Sequence, residues 1–251
     1  MANLRFAAAR ERRVALVTGG ARGLGRAAAL RIAEEGRDIV IADVLGEEGE
    51  KTAGDIQAQG QDALYLHTDV QDESAVRATV AATVERFGRL DILVCCAGVL
   101  GREAPFLEQT AEHFAEVMRI NLHGVYFAHQ AAIPHMVERG WGRCATITSG
   151  ARRGSANLVP YSVSKAAVYS FIGALGNVWP KEGVFVNGVE PGRALTDMVV
   201  PRFSQEFINN PGNPIGRYSD PEEVAEVIEF LCSERNTYTT GSVWSVKGAS
   251  G

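Results

Sequence analysis

Short apolar runs rich in β-branched residues alternate with longer stretches along the chain, and this alternation restricts the fold more than any other feature. Each run has the length of one strand, and each interval between successive runs is long enough for a helix. The seven runs cover residues 14–17, 38–42, 63–66, 92–94, 145–147, 184–186 and 243–246. Nearly continuous hydrophobic strands separated by helices are typical of a parallel sheet covered on both faces. We therefore predict an α/β fold with one doubly wound, seven-stranded parallel sheet flanked by helices.

Length and composition agree with this fold. The chain has 251 residues, of which 46% are hydrophobic, so it can bury a core as one α/β domain or as two small ones. The sequence contains no internal repeat or interdomain linker, so we predict an N-terminal arm at residues 1–12 and one domain at 13–251. Residues 193–216 lack a clear period, and we interpret them as a mobile lid, with a plain helix as the alternative.

Charge and hydropathy exclude several classes of partner. The formal net charge of -5 argues against a nucleic-acid surface, and the basic segment at residues 5–13 is short enough to be a solvated arm. No apolar run approaches the ~20 residues of a membrane span, and the first residues lack the apolar stretch of a secretory signal. We therefore expect a soluble, cytoplasmic protein that binds neither nucleic acid nor membrane.

The cysteines and histidines show no metal-binding spacing. The four cysteines, Cys95, Cys96, Cys144 and Cys232, form no CxxC pair, and the five histidines form no HExxH motif. Thiols within apolar runs are typical of buried cysteines in a reducing compartment. We therefore predict free thiols and no catalytic metal.

A glycine-rich turn follows the first predicted strand and precedes a helix-like stretch. Residues 18–25 read TGGARGLG, with glycines at Gly19, Gly23 and Gly25 and without a literal GxGxxG. Glycines at such a turn let the backbone approach a pyrophosphate, and the N-terminus of the next helix offers N–H groups and a positive dipole end. Together with the alternation of strands and helices, the turn predicts a Rossmann-type dinucleotide-binding domain.

An acidic residue at the end of the second predicted strand bears on the choice of dinucleotide. Asp43 lies 20 residues beyond Gly23, where this fold places the acid that binds the adenosine ribose hydroxyls. A phosphate at ~4 Å would meet a repulsion of roughly 4 kcal/mol per unit charge at an effective dielectric near 20. Arg22 could instead meet a 2'-phosphate, but a loop arginine can turn into solvent, so we predict NAD rather than NADP. A helix N-cap is the alternative role for Asp43.

Tyr161 and Lys165 form the chain's one tyrosine–lysine pair at a spacing of four, and Ser149 lies 12 residues before Tyr161. On a helix, positions i and i+4 share a face, so the Lys165 ammonium can lie near the Tyr161 phenol. A neighbouring cation favours phenolate and lowers the pKa of a tyrosine. The three residues therefore predict an acid/base that moves a proton on or off a carbinol or carbonyl oxygen. A surface helix with an incidental tyrosine and lysine is the alternative.

Taken together, these motifs resemble the short-chain dehydrogenase/reductase family over residues 13–251. Residues 18–25 match its TGxxxGxG turn, and residues 95–98 (CCAG) occupy the place of its NNAG motif. The resemblance implies that the catalytic residues are Asn121, Ser149, Tyr161 and Lys165. It implies a cofactor site formed by Gly19, Arg22, Gly23, Leu24, Gly25, Asp43, Asp69, Val70, Cys96, Ala97, Gly98, Tyr161, Lys165, Pro191, Gly192, Ala194 and Thr196.

The resemblance also implies a reaction and a role for each catalytic residue. Family members transfer a hydride reversibly between NAD and a carbinol carbon. By this likeness Tyr161 is the acid/base, Ser149 positions the substrate oxygen, and Asn121 holds a water of the proton relay. Lys165 would bind the nicotinamide ribose and lower the pKa of Tyr161, with the nicotinamide cation helping. A homotetramer is expected by the same likeness.

The expected substrate is a hydrophobic secondary alcohol or its ketone. We expect its pocket to be lined by Leu100, Arg102 and Phe106, by residues 149–158 and by the lid. Arg152, Arg153 and Arg193 could bind an anionic group, but we interpret them as solvated or interface arginines. Two other functions stay open, an NADPH-dependent ketoreductase and a non-catalytic NAD-binding scaffold.

Three departures from the family pattern bear on the surroundings of the site. Cys95 and Cys96 replace two asparagines that brace the central sheet and touch the adenine ribose in the family. Phe185 stands where an arginine often precedes the VN motif, and Lys247 begins KGA in place of an acidic DGG. We expect these changes to alter cofactor affinity, assembly and C-terminal packing more than catalysis.

Overall fold

A computed structural model describes residues 12–196, 200, 204, 206, 208 and 212–249. Within these residues, the strands are β1 (Val14–Thr18), β2 (Asp38–Asp43), β3 (Ala63–His67), β4 (Ile92–Cys95), β5 (Gly142–Ile147), β6 (Val184–Pro191) and β7 (Val243–Val246). They form one sheet of order β3-β2-β1-β4-β5-β6-β7, in which every neighbouring pair is parallel. The predicted seven-stranded parallel sheet is confirmed, and each predicted run lies within a strand.

Helices cover both faces of the sheet. They are α1 (Gly23–Ala33), α2 (Gly46–Ala58), α3 (Glu73–Phe87), α4 (Ala111–Met118), α5 (Gly124–Glu138), α6 (Val159–Leu175) and α7 (Pro221–Cys232). Ala15 and Val17 of β1 pack into the core beneath α1, α2 and α7, whereas Leu16 packs into the core beneath α3, α5 and α6. The apolar runs are continuous because successive side chains enter opposite cores.

Local signals set several of the helix boundaries. Gly88 follows α3 in the left-handed conformation, with φ +73, and so ends that helix. Asp220 precedes α7, and the carboxylate of Glu223 accepts a hydrogen bond from its backbone N–H at 3.0 Å. In the described part of the chain, no helix is long and apolar enough to cross a bilayer.

The sheet order places a crevice between the carboxyl ends of β1 and β4. The chain leaves β1 towards β2 and β3 on one side and later returns to β4 on the other side. In open α/β sheets, ligands bind at the point where the strand order reverses. Gly19 follows β1 with φ +68, and a Cβ there would lie 2.5 Å from the backbone nitrogen of Ala97 after β4. The two loops therefore meet at a distance that only glycine allows.

Candidate active site

A cavity of about 1070 Å³ opens at the carboxyl edge of the sheet. Ser149 lines this cavity, and so do all of the residues predicted to bind the cofactor. These are Gly19, Arg22, Gly23, Leu24, Gly25, Asp43, Asp69, Val70, Cys96, Ala97, Gly98, Tyr161, Lys165, Pro191, Gly192, Ala194 and Thr196. These residues come from loops that are far apart in sequence and follow parallel strands. The parallel sheet brings them together because all of its strands end at the same edge.

The glycine turn fits a pyrophosphate. A Cβ at Gly25 would lie 2.0 Å from the carbonyl oxygen of Gly19, so the turn closes on itself where no other residue fits. The helix α1 begins at Gly23, within this glycine-rich segment, and Gly23 lines the cavity. The N–H groups of a first helical turn and the positive end of the helix dipole favour an anion at this point.

Asp43 presents a buried carboxylate at the end of β2. Its Oδ2 accepts a hydrogen bond from the backbone N–H of Ala21 at 3.0 Å, and its Oδ1 accepts one from the N–H of Leu45 at 3.1 Å. An ionised carboxylate has about four acceptor positions, so capacity remains for ribose hydroxyls. The N-cap of α2 is Leu45, so the alternative role of Asp43 as a helix N-cap is wrong.

Lys165 lies on α6 with its ammonium buried at the cavity wall. Its Nζ donates a hydrogen bond to the carbonyl oxygen of Ile147 at 2.9 Å. Burial lowers the pKa of Lys165 to about 8, against the smaller raising effects of Cys96 and Cys95. Lys165 can therefore change its protonation state near neutral pH.

Tyr161 lies one turn before Lys165, and its ring centroid is 5.8 Å from the lysine Nζ. Burial raises the pKa of Tyr161, and the hydrogen bond with Ser149 lowers it by less. Burial therefore outweighs Ser149 in setting the pKa of Tyr161, and the lowering by Lys165 together with a nicotinamide cation stays a prediction. Burial that places the phenol and the ammonium together also removes the water that would stabilise their charges.

Ser149 follows β5 and begins a 3-10 turn at Gly150–Arg153. Its Oγ accepts a hydrogen bond from the backbone N–H of Ala151 at 3.2 Å. The Ser149 hydroxyl also lowers the pKa of the Tyr161 phenol. The serine therefore lies beside the phenol, with its hydroxyl held by the backbone of its own turn.

Asn121 lies in a π-helical turn, Arg119–His123, between α4 and α5. Its Oδ1 accepts from the N–H of Val99 at 2.8 Å, and its Nδ2 donates to the carbonyl oxygen of Val99 at 2.9 Å. The same amide donates to Ser164 Oγ at 3.1 Å, and Ser164 donates to the carbonyl oxygen of Tyr161 at 2.7 Å. Asn121 is fully buried, so its side chain joins the loop after β4 to α6.

The two cysteines that replace asparagines differ in position. Cys95 is buried at the end of β4, with its Sγ 3.9 Å from Nδ1 of His129, whereas Cys96 is half-buried and lines the cavity. Burial raises the pKa of Cys95 to about 12 and raises the pKa of Cys96 as well. Both thiols are therefore neutral at physiological pH. Cys144 and Cys232 are buried and free, as is Cys95, in agreement with the predicted buried thiols.

A charged cluster around Glu190 was not predicted from the sequence. Glu190 is fully buried near the end of β6, and its Oε2 accepts a hydrogen bond from Nε of Arg152 at 2.5 Å. Its Oε1 lies 3.0 Å from Nζ of Lys247 and 3.6 Å from Arg153. Burial alone would raise the pKa of Glu190, but the hydrogen bonds from Lys247 and Arg152 lower it. The register of β6 and β7 is the signal that indicates this pair, because Pro191, next to Glu190, pairs with Val246, next to Lys247.

This cluster corrects the interpretation of the arginines. Arg152 is bound to Glu190, and its guanidinium lies 3.9 Å from the centre of the Tyr169 ring, so it is not a solvated arginine. Arg153 and Arg193 line the cavity, and Arg193 donates to the Tyr218 hydroxyl at 3.3 Å. Lys247 replaces an acidic residue of the family pattern, and it pairs with an acid, Glu190, on the neighbouring strand β6.

The residues predicted to line the substrate pocket agree only in part with the lining of the cavity. Leu100 lines the cavity, whereas Arg102 and Phe106 are absent from its lining among the described residues. Phe106 is 65% exposed, and the backbone N–H of Arg102 donates to Nε2 of His113 at 2.6 Å, which holds this loop away. From the predicted lid, the cavity includes Arg193, Ala194, Thr196, Gly212 and Asn213. The lid residues Met198, Val199, Phe203 and Phe207 lie outside the described residues, as does all of the predicted N-terminal arm except Arg12.

Comparison with known proteins gives close relatives over almost the whole chain. A family model described as enoyl-(acyl carrier protein) reductase matches residues 19–249. A 2-dehydro-3-deoxy-L-rhamnonate dehydrogenase (NAD(+)) of Sphingomonas sp. (strain SKA58) is 34% identical, over 94% of this chain and 94% of the relative. A cis-4-hydroxycyclohexanecarboxylate dehydrogenase of Sinomonas cyclohexanicum is 37% identical, over 94% of this chain and 95% of the relative.

A solved structure extends the likeness from sequence to fold. The crystal structure of levodione reductase superposes with a TM-score of 0.90 at 34% identity, and the match covers 95% of this chain and 98% of that chain. The proteins named are dehydrogenases and a reductase, and the likeness includes the strands and loops that form the cavity. The chain therefore belongs to the short-chain dehydrogenase/reductase family of oxidoreductases.

Proposed function

We propose that this protein catalyses reversible, NAD-dependent hydride transfer between a hydrophobic secondary alcohol and its ketone, with Tyr161 as the acid/base. The observation that carries the proposal is one cavity with Asp43 at one end and Ser149, Tyr161 and Lys165 at the other. A dinucleotide bound along this cavity would extend from an adenosine end at Asp43 to a reacting end at Tyr161.

The choice of NAD rests on Asp43. Its carboxylate is held by two neutral backbone N–H groups and keeps its negative charge, which suits ribose hydroxyls and opposes a 2'-phosphate. The name of one relative specifies NAD(+), which supports the same choice. Arg22 also lines the cavity and is the residue that would favour NADP, the cofactor of the alternative ketoreductase.

The residues of the chain also divide the work of binding the cofactor. The glycine turn would hold the pyrophosphate, and Lys165 would bind the nicotinamide ribose. Pro191, Gly192 and Thr196 would contact the nicotinamide side. The bound cofactor would supply the hydride acceptor or donor.

Proton transfer then falls to Tyr161. In the oxidation direction the alcohol proton passes to the Tyr161 oxygen while the hydride leaves the carbinol carbon, and in reduction both move back. The raised pKa of Tyr161 keeps the phenol protonated at neutral pH, which suits it as the acid for ketone reduction. Ser149 orients the same oxygen, and the Lys165 ammonium favours the phenolate needed for oxidation. We keep for Asn121 the predicted role of holding a water of the proton relay.

The walls near the reacting end support an apolar substrate body. Val99, Leu100, Ile120 and Leu158 line this part of the cavity. The relatives act, by their names, on a hydroxycyclohexanecarboxylate and on levodione, which supports an alcohol or ketone on a compact carbon frame.

Assembly into a homotetramer is part of the proposal. The aromatic side chains of Tyr126 on α5 and Tyr169 on α6 are more than two-fifths exposed on the outer face of the sheet's helical layer. Exposed aromatic groups of this kind are typical of surfaces that contact another chain. Light scattering coupled to size exclusion measures the assembly.

The test is a cofactor-by-substrate screen that follows NADH absorbance. We expect turnover with secondary alcohols and NAD, and a kcat/KM with NAD at least about 10-fold above that with NADP. A higher kcat/KM with NADP than with NAD would favour the alternative function, an NADPH-dependent ketoreductase. Tight NAD binding without turnover across a broad panel of alcohols and ketones would favour the non-catalytic scaffold instead.

A further inference from the structure

The two ends of the cavity differ in charge. Among the described residues that line it, the acidic ones are Asp43, Asp69 and Glu103, and the basic ones are Arg22, Arg153, Lys165, Arg193 and Lys247. The adenosine end has two of these acids and one base. The reacting end, formed by the loops after β4 to β7, has four bases and one acid.

Glu190 does not neutralise this end. Its single negative charge is shared among Arg152, Arg153 and Lys247. Arg152 occupies Oε2 and is held over the Tyr169 ring, whereas Arg153 and Lys247 approach the same Oε1. Two cationic groups thus converge on one carboxylate oxygen at the cavity wall.

Arg153 is the more adaptable of these two cations. Its side chain is 49% exposed, and its contact with Glu190 is 3.6 Å, longer than a hydrogen bond. It also lies four residues after Ser149 in the same short turn, so it flanks the position of the reacting oxygen. Arginine donates in a fork that matches the two oxygens of a carboxylate.

Among the described residues that line this end, the acidic one is Glu103. It is exposed and belongs to the loop in which the N–H of Ala104 donates to the carbonyl oxygen of Asn157 at 3.0 Å. One exposed carboxylate is screened by solvent more strongly than the largely buried side chains of Lys165 and Lys247 at the wall. The field at the reacting end therefore favours an anion.

We propose that Arg153, supported by Lys247, binds a carboxylate group of the substrate, so that the substrate is a hydroxy acid or oxo acid with an apolar body. This inference rests on the proposed function, and it adds a specificity-determining residue to it. The anionic group would lie beside the Ser149 turn, and the alcohol carbon would lie between Tyr161 and the nicotinamide.

The first experiment measures binding without turnover. Cyclohexanecarboxylate and cyclohexanecarboxamide have nearly the same shape and differ in charge, and each is titrated calorimetrically into the enzyme–NADH complex. We expect the carboxylate to bind at least about 10-fold more tightly than the amide, as charge-assisted hydrogen bonds require. Equal affinity of the two probes would overturn the proposal, whatever the enzyme turns over.

Substitution of Arg153 tests whether this residue causes the preference for the carboxylate. We expect Arg153→Gln to weaken carboxylate binding about 10- to 100-fold, to leave amide binding unchanged, and to keep the affinity for NADH. Arg153→Lys, which keeps the charge, should restore part of the difference. Arg77→Gln is the matched control, because Arg77 is also 49% exposed and paired with a glutamate, but it lies on α3 away from the cavity. A carboxylate preference that survives Arg153→Gln would contradict the assignment.

Turnover separates this inference from the proposed function. With 4-hydroxycyclohexanecarboxylate and its amide as alcohols, we expect Arg153→Gln to raise KM for the acid with little change in kcat. Oxidation of neutral alcohols without a carboxylate preference would overturn the anion site and keep the proposed function. A carboxylate preference in binding with no oxidation of any alcohol would keep the anion site and overturn the proposed function.

Discussion

Two carboxylates mark the two ends of the cavity, and their partners give those ends opposite character. Asp43 ends β2 and accepts hydrogen bonds from two neutral backbone N–H groups. Glu190 lies near the end of β6 and is surrounded by Arg152, Arg153 and Lys247. No cation is paired with Asp43 among the described residues, whereas three described cationic side chains surround Glu190.

The difference shows that the donors around an acid decide what it does. Backbone N–H groups satisfy Asp43 without cancelling its charge, so it can bind hydroxyls and repel a phosphate. The three cationic side chains around Glu190 outnumber its one negative charge, so the acid serves to hold them together at the cavity wall. The predictions below test each end separately.

Tyr161→Phe should give the largest effect and act on the reacting end alone. Removing the phenolic oxygen removes the acid/base, and we expect kcat to fall about 10²- to 10⁴-fold. The affinity for NAD should change by less than about 3-fold, because the adenosine end is untouched. Fluorescence titration with NADH and steady-state kinetics measure the two effects. Undiminished turnover would refute the assigned chemistry.

Asp43→Asn should give the next largest effect and act on the adenosine end. Loss of the carboxylate charge removes the repulsion of a 2'-phosphate, and Arg22 is available to meet it. We expect the ratio of kcat/KM with NADP to that with NAD to rise about 100-fold. Both values come from one protein sample, so any partial loss of folding cancels in the ratio. An unchanged ratio would remove Asp43 from cofactor selection.

Glu190→Gln tests the role of the acid in holding the cations. A neutral amide leaves Arg152 and Lys247 without their counter-charge, and we expect the free energy of unfolding at pH 7 to fall by about 2 kcal/mol. The pKa of Glu190 is lowered in the folded protein, so its contribution is present above pH 4.5 and is lost as the pH falls through the lowered value. Urea unfolding should therefore show the variant and the wild type converging below pH 4.5.

The control for Glu190→Gln is Glu73→Gln, which removes an exposed pair with Arg77 within one helix. We expect that change to cost less than about 0.5 kcal/mol. Equal losses for the two variants would mean that the Glu190 cluster contributes no more than a surface ion pair.

Lys165→Met tests the cost of the buried ammonium through a change in the pH dependence of stability. The pKa of Lys165 is lowered from 10.5 to about 8 by burial, so between these values the unfolded chain binds more protons than the folded one. The free energy of unfolding of the wild type should therefore rise relative to the variant by about 1 kcal/mol per pH unit above pH 8. Below pH 8 the difference should be constant. Parallel curves from pH 7 to pH 10 would contradict the lowered pKa.

Much of the fold and the location of the site followed from local patterns. The seven apolar runs lie within the seven strands, and the glycine turn occupies the crevice where the strand order reverses. Such signals can be read from the sequence because strand burial and glycine turns depend on neighbouring residues. Arg102 and Phe106 show the limit of such local signals, because a hydrogen bond from the backbone N–H of Arg102 to His113 helps to decide which way their loop turns.

The sequence by itself determined the order of strands and helices, the glycine turn and the helical spacing of Tyr161 and Lys165. Tertiary structure alone decided the direction of the pKa of Tyr161 and the partners of Glu190. Arg152 and Glu190 are 38 positions apart, and they meet because parallel strands end at one edge. The spacing of residues fixes which side chains share a helix face, whereas the charge they keep depends on how much water the rest of the fold excludes.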